Sequence, residues 1–162
     1  MEKLRIVLIS CLLVALNCNA TSLTGRLGLG MSSIVPSGMK TLSLKLQRNS
    51  STALGGIFGL DSSPDASLYA VGLKLYRIIY DEPQLNFYSA FGASMFTYQN
   101  NSQDVEQGSL LEGVFGTEFM FQGLESVGFS FEFGMGIENY QDTTSFKTLG
   151  NSMIQSAVHF YL

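Results

Sequence analysis

The sequence predicts an all-β fold, an eight-stranded antiparallel up-and-down barrel. Three observations point to it. Beyond residue 20 the chain has almost no helical period and alternates apolar with small or polar residues in eight successive segments, the period of strands that have two different faces. Clusters of polar turn residues separate the segments. The connections between them are alternately tight and longer, as they are when hairpins return at the two rims of a barrel.

Composition narrows the class. The 162 residues leave room for one domain. Charged residues make up only 14%, against about 25% in soluble domains, and hydrophobic residues make up 46%. Nine basic and 13 acidic residues give a formal charge of -4, which argues against a nucleic-acid partner. One His and two Cys are too few for a typical zinc site, and no cofactor is expected.

Residues 1–20 read as a cleaved secretory signal peptide. Lys3 and Arg5 precede an apolar run from Ile6 to Leu16, and small residues end at Ala20. That run is shorter than the about 20 residues a helix needs to span a bilayer. A lipid-modified Cys18 is the rival reading, but Asn17 suits its motif poorly. Cleavage after Ala20 leaves residues 21–162 as one barrel domain without cysteine, held by packing and hydrogen bonds alone.

The segments follow in order. The first, Ser22 to Met31, sets Leu23, Leu27, Leu29 and Met31 against Arg26, Gly28 and Gly30; the second, Met39 to Arg48, sets Leu42, Leu44 and Leu46 against Ser43, Lys45 and Gln47. The third, Thr52 to Leu60, and the fourth, Leu68 to Ile79, oppose Leu54, Phe58, Leu73 and Leu75 to Gly55, Gly59, Lys74 and Tyr76. In the fifth, Leu85 to Tyr98, and the sixth, Leu110 to Phe121, Phe87, Phe91 and Phe115 oppose Tyr88, Gly92, Glu112 and Glu118. The seventh is the clearest, with Val127, Phe129, Phe131, Phe133 and Met135 alternating with Gly128, Ser130, Glu132, Gly134 and Gly136. The eighth, Ser152 to Leu162, sets Ile154, Val158, Phe160 and Leu162 against Gln155, Ala157, His159 and Tyr161. Longer connections are expected at 32–37, 61–67, 99–109 and 139–148, and tight ones at 49–51, 80–84 and 122–126.

Periodicity does not say which face points outward. Inward, the apolar face would make a soluble periplasmic barrel binding an apolar ligand; outward, it would make a transmembrane barrel. The many Phe and Leu would overfill an eight-stranded interior, whereas the Gly, Ala and Ser of the other face suit a crowded one. No charge falls on the apolar face within the segments; Lys40, Arg48 and Arg77 share its parity but sit at segment ends, where long side chains reach headgroups. A midplane Lys or Arg facing lipid would cost roughly 2–4 kcal/mol. The apolar face is therefore expected to meet lipid, with closure leaving no unpaired edge in hydrocarbon.

This pattern resembles the small eight-stranded outer-membrane β-barrels of Gram-negative bacteria, the family of outer membrane protein X and of the transmembrane domain of outer membrane protein A. The resemblance is architectural and covers residues 22–162. Its most specific piece is the C-terminal alternation of Val158, Phe160 and Leu162, which resembles the signal read by the barrel-assembly machinery; Leu162 departs from the usual terminal Phe or Trp. The resemblance implies a location in the bacterial outer membrane with both mature termini facing the periplasm. Its implied partners are outer-membrane lipid and the assembly machinery. No further domain is expected after the eighth segment, so the peptidoglycan-anchoring role of larger relatives is not expected.

The inward face carries Arg26, Lys45 and Lys74 on one wall and Glu112, Glu118, Glu132 and Glu138 on the other. Counting from the periplasmic rim, Arg26, Lys45, Lys74, Glu118 and Glu132 lie at similar depth. They are expected to form a cross-lumen ion-pair cluster with Tyr76, Tyr88 and Gln155 as neutral partners. An ion path is the functional alternative, but a barrel of this size holds no aqueous channel, so a plugging network is the better expectation. His159 is expected inward beside the first segment and Arg26, with no nucleophile and orienting acid legible around it. The expected role is non-enzymatic: envelope integrity or surface interaction through the connections at 99–109 and 139–148.

Overall fold

A computed structural model describes residues 23–33, 40–62, 66–82, 84–100, 105–141, 143–149 and 154–162. Residues 1–20, where the signal peptide is expected, lie outside the described residues. Among those described there is no helix, and nine strands follow one another: β1 Leu27–Ser32, β2 Thr41–Asn49, β3 Thr52–Ser62, β4 Ala66–Glu82, β5 Leu85–Asn100, β6 Val105–Met120, β7 Val127–Tyr140, β8 Thr143–Thr148 and β9 Gln155–Tyr161.

Strands β1 to β7 pair antiparallel with their neighbours in sequence, and β9 closes the sheet between β7 and β1. The result is a closed eight-stranded antiparallel barrel. β8 extends the pairing along the far half of β7, from Tyr140↔Thr143 to Met135↔Thr148. It reads as the upper part of the eighth strand. Met135 and Glu132, three apart on β7, face Thr148 and Gln155, seven apart on the return. Between them Leu149 turns into the lumen, while its N–H donates to Gly134 O at 3.0 Å.

Alternation in sequence becomes alternation in burial. Along β2, Thr41, Ser43, Lys45 and Gln47 point inward and Leu42, Leu44 and Leu46 outward. Because a one-residue slip would invert both faces, the register is held by the whole pattern at once. The outer wall is a belt of exposed Leu, Val, Phe and Met running round every strand of the barrel, with Leu73 74% and Phe133 60% exposed.

Turn chemistry joins the strands at the short-turn rim. Asn49 Oδ1 accepts from the N–H of Ser51 and of Thr52 and from the Thr52 hydroxyl, at 2.9, 2.8 and 2.9 Å, the local capping that favours Asn in turns. Gly123 takes a φ of +84 in the β6–β7 connection, where glycine carries no Cβ penalty.

The structure corrects the first segment and the longer connections. The chain reverses at Thr24–Gly25, so the strand starts at Leu27 and Leu23, expected on the outer face, is buried inside against Met120 and Tyr161. The expected loops at 61–67, 99–109 and 139–148 are largely strand: Ser62↔Ser67, Gln99↔Val105 and Tyr140↔Thr143 are paired. Ladder hydrogen bonds need no apolar face, so hairpins continue past the point where the apolar alternation stops. Among the described residues, β1 and β2 are paired as far as Ser32↔Thr41; residues 34–39, within the expected connection at 32–37 and just after it, lie outside the described residues.

Candidate functional site

Large inward side chains lie opposite glycines. One paired row runs Tyr161, Gly28, Lys45, Gly55, Lys74, Gly92, Glu112, Gly136 and Lys147, strand by strand round the barrel. Every second strand contributes no side chain to the row, so each long side chain can lie across its neighbour's backbone. Gly116 separates Tyr88 from Glu132 in the same way.

Two tiers of charge fill the lumen. In the lower tier Lys45 Nζ lies 2.7 Å from Glu118 Oε2, and Tyr161 donates its hydroxyl to Glu118 Oε1 at 2.6 Å. The Lys45 ammonium also sits over the rings of Tyr76 and Tyr88, 4.7 and 4.8 Å from their centroids. In the upper tier Lys74 Nζ bridges Glu132 Oε2 at 2.6 Å and Glu112 Oε1 at 2.7 Å, and Tyr88 donates to Glu132 Oε1 at 2.9 Å. Lys45 is 1% and Glu118 0% exposed, so these pairs act in a low dielectric where a missing partner is costly. Nearer the long-loop rim, Lys147 pairs with Glu138 at 2.6 Å.

Four of the five residues expected to cluster are in this network. Arg26 is not. It precedes β1, and its Nη2 donates to Tyr161 O at 2.6 Å and Ser126 Oγ at 3.1 Å, fastening the β9–β1 seam at the short-turn rim. Glu112, left out of the expected five, takes a place beside Lys74. Strand tilt is the reason: the paired row climbs around the barrel, so counting residues from the rim does not give depth. Gln155 is buried, but neither polar atom of its amide has a partner among the described residues. Val158, Phe160 and Leu162 lie on the outward parity, with Phe160 and Leu162 exposed and Val158 half-buried.

His159 has neighbours that sequence spacing does not reveal. Its Nε2 is 2.9 Å from Ser43 Oγ, and its Nδ1 is 3.9 Å from Glu118 Oε1. A serine, an imidazole and a carboxylate thus stand in order, a set that was not legible in the sequence. The set lacks two requirements of a hydrolytic triad. The Nδ1 distance is beyond a hydrogen bond, and both Glu118 oxygens are held by Lys45 and Tyr161. All three residues are buried. Leu23, Met120 and Tyr161 form one apolar cluster toward the short-turn rim, and Leu110, Val114 and Leu149 form another with Tyr76 and Tyr88.

Fold and lumen define a class: a closed eight-stranded β-barrel whose interior is filled by its own charged and aromatic side chains. Comparison of the sequence with protein-family models finds no match, and comparison with curated proteins finds none either.

Proposed function

We propose that the chain is a non-enzymatic barrel of the bacterial outer membrane, contributing to envelope integrity or surface interaction. The observation that carries this reading is the inverted distribution of polarity. Leucine and phenylalanine cover the outside of a closed barrel, while Lys45, Lys74, Glu112, Glu118 and Glu132 are buried within it. In water that arrangement would expose a large apolar area and hide the charges; in a bilayer it matches each face to its surroundings. A soluble carrier of an apolar ligand would need an apolar cavity where these ion pairs lie.

On this reading both mature termini face the periplasm, and Val158, Phe160 and Leu162 present the outward stripe read by the assembly machinery. Partners on the cell surface would meet the tips of the β5–β6 and β7–β8 hairpins. The filled lumen supports a structural rather than a conducting role.

The deciding experiment is gel mobility of the outer-membrane fraction with and without boiling. A heat-dependent shift is expected, because a closed barrel keeps its fold in detergent until heated. Protein without such a shift in the soluble periplasm would overturn the reading.

A further inference from the structure

The outer wall carries two arginines that the interior cannot use. Arg48 and Arg77 are both exposed and outward-facing, on β2 and β4 near the short-turn rim. Each lysine inside the barrel has a carboxylate within 2.7 Å. Neither arginine has an ion-pair partner among the described residues. Two unpaired guanidinium groups therefore flank one patch of an otherwise apolar wall.

The local fold brings them together. A register shift between Gln47 and Asn49 makes Arg48 the extra residue of a bulge, the device that re-aims a side chain from a strand. Thr52, Arg77 and Ser89 are paired in one row across β3, β4 and β5. Arg48, Thr52, Arg77 and Ser89 line a groove of about 530 Å³ on the outer surface. Its other walls include Leu54, Leu75 and Phe91, all outward and exposed.

We infer that this groove seats one anionic phospholipid, its phosphodiester held by Arg48 and Arg77 with the Thr52 and Ser89 hydroxyls, and an acyl chain along Leu54, Leu75 and Phe91. The chemistry is complementary at both ends. A guanidinium presents a planar fork of donors that matches two phosphate oxygens, and hydroxyls add further donors. Beyond the arginines the groove turns apolar toward the middle of the belt, as a lipid does below its headgroup. The inference rests on the membrane reading, which puts this rim at headgroup level, and it deepens that reading by naming a lipid class and a site.

Brominated-lipid quenching tests it. The chain has no Trp, so Leu73→Trp, outward beside the groove, and Phe133→Trp, on another part of the wall, each provide a single reporter in the folded chain. Brominated phosphatidylglycerol is compared with brominated phosphatidylcholine at equal mole fraction in vesicles. The Leu73→Trp reporter is expected to select the anionic lipid by roughly five-fold or more, the preference that one basic residue near an anionic surface supplies, and the Phe133→Trp reporter to show none. The double variant R48Q/R77Q is expected to abolish the selectivity, and R48K/R77K to keep part of it. Equal quenching by both lipids at the groove, or selectivity surviving R48Q/R77Q, would overturn the site. Displacement by inorganic phosphate beyond that by chloride at equal ionic strength would assign the groove to a free anion and overturn the lipid. If neither lipid quenched either reporter, the membrane reading itself would fail.

Discussion

Glu112 lies across Gly92. The two are paired in register on β6 and β5, and a methyl group built on Gly92 would meet Glu112 Oε1 at 2.7 Å. That same oxygen is the one held by Lys74. The glycine is therefore part of the ion-pair site although it carries no charge, and the same holds for Gly116, where a methyl would meet the Tyr88 ring at 2.6 Å.

Gly92→Ala should push the Glu112 carboxylate off Lys74 and cost about 1–3 kcal/mol, the usual penalty for overpacking a filled interior. Gly56→Ala is its control. A methyl there meets nothing within 4 Å, so the change should stay within about 0.5 kcal/mol. Denaturant midpoints of the folded barrel measure both; equal effects would contradict the packing account.

Glu132→Gln should be the more damaging of two carboxylate neutralisations. Among the described residues, Glu132 holds both Lys74 and Tyr88, whereas Glu112 holds Lys74 alone and its Oε2 has no partner. Three carboxylates face two ammonium groups in the two tiers, so Glu112→Gln evens the charge. The loss at Glu132 is expected near the about 3–5 kcal/mol typical of a broken buried pair, with Glu112→Gln well below it. An unchanged unfolding temperature in Glu132→Gln would refute the cluster's structural role.

Lys45→Met should destabilise by a similar amount, because Glu118 is fully buried and loses its cation. Adding Glu118→Gln should recover a large part of that loss. A double-mutant cycle on unfolding free energies reads the coupling directly; strictly additive losses would mean that the pair does not interact.

Ser43 should resist phosphonylation while the barrel is folded. Its hydroxyl is 2.9 Å from His159 Nε2, but it is buried and Glu118 is already engaged. Mass spectrometry after treatment with a fluorophosphonate probe is expected to find no adduct at Ser43. An adduct formed before unfolding would show that the lumen opens and would revive a hydrolytic reading.

The sequence by itself determined which side chains share a face. Strand period two assigned Lys45, Lys74, Glu118 and Glu132 to one wall surface and Leu44, Leu73, Phe115 and Phe133 to the other, because a register slip of one residue would reverse every position at once. Tertiary structure decided which of the inward residues meet. Closing tilted strands offsets each strand from the next, and this brings Glu112 to Lys74 and Ser43 to His159, pairs far apart in sequence. It also decided the exceptions. A reversal at Gly25, whose φ is +80, carries Leu23 inside and leaves Arg26 at the rim, because a turn before β1 ends the alternation that spacing alone would extend. Periodicity is a local property of the backbone and can be read along the chain, whereas depth inside a sheared barrel is a relation between strands and exists only once the barrel has closed.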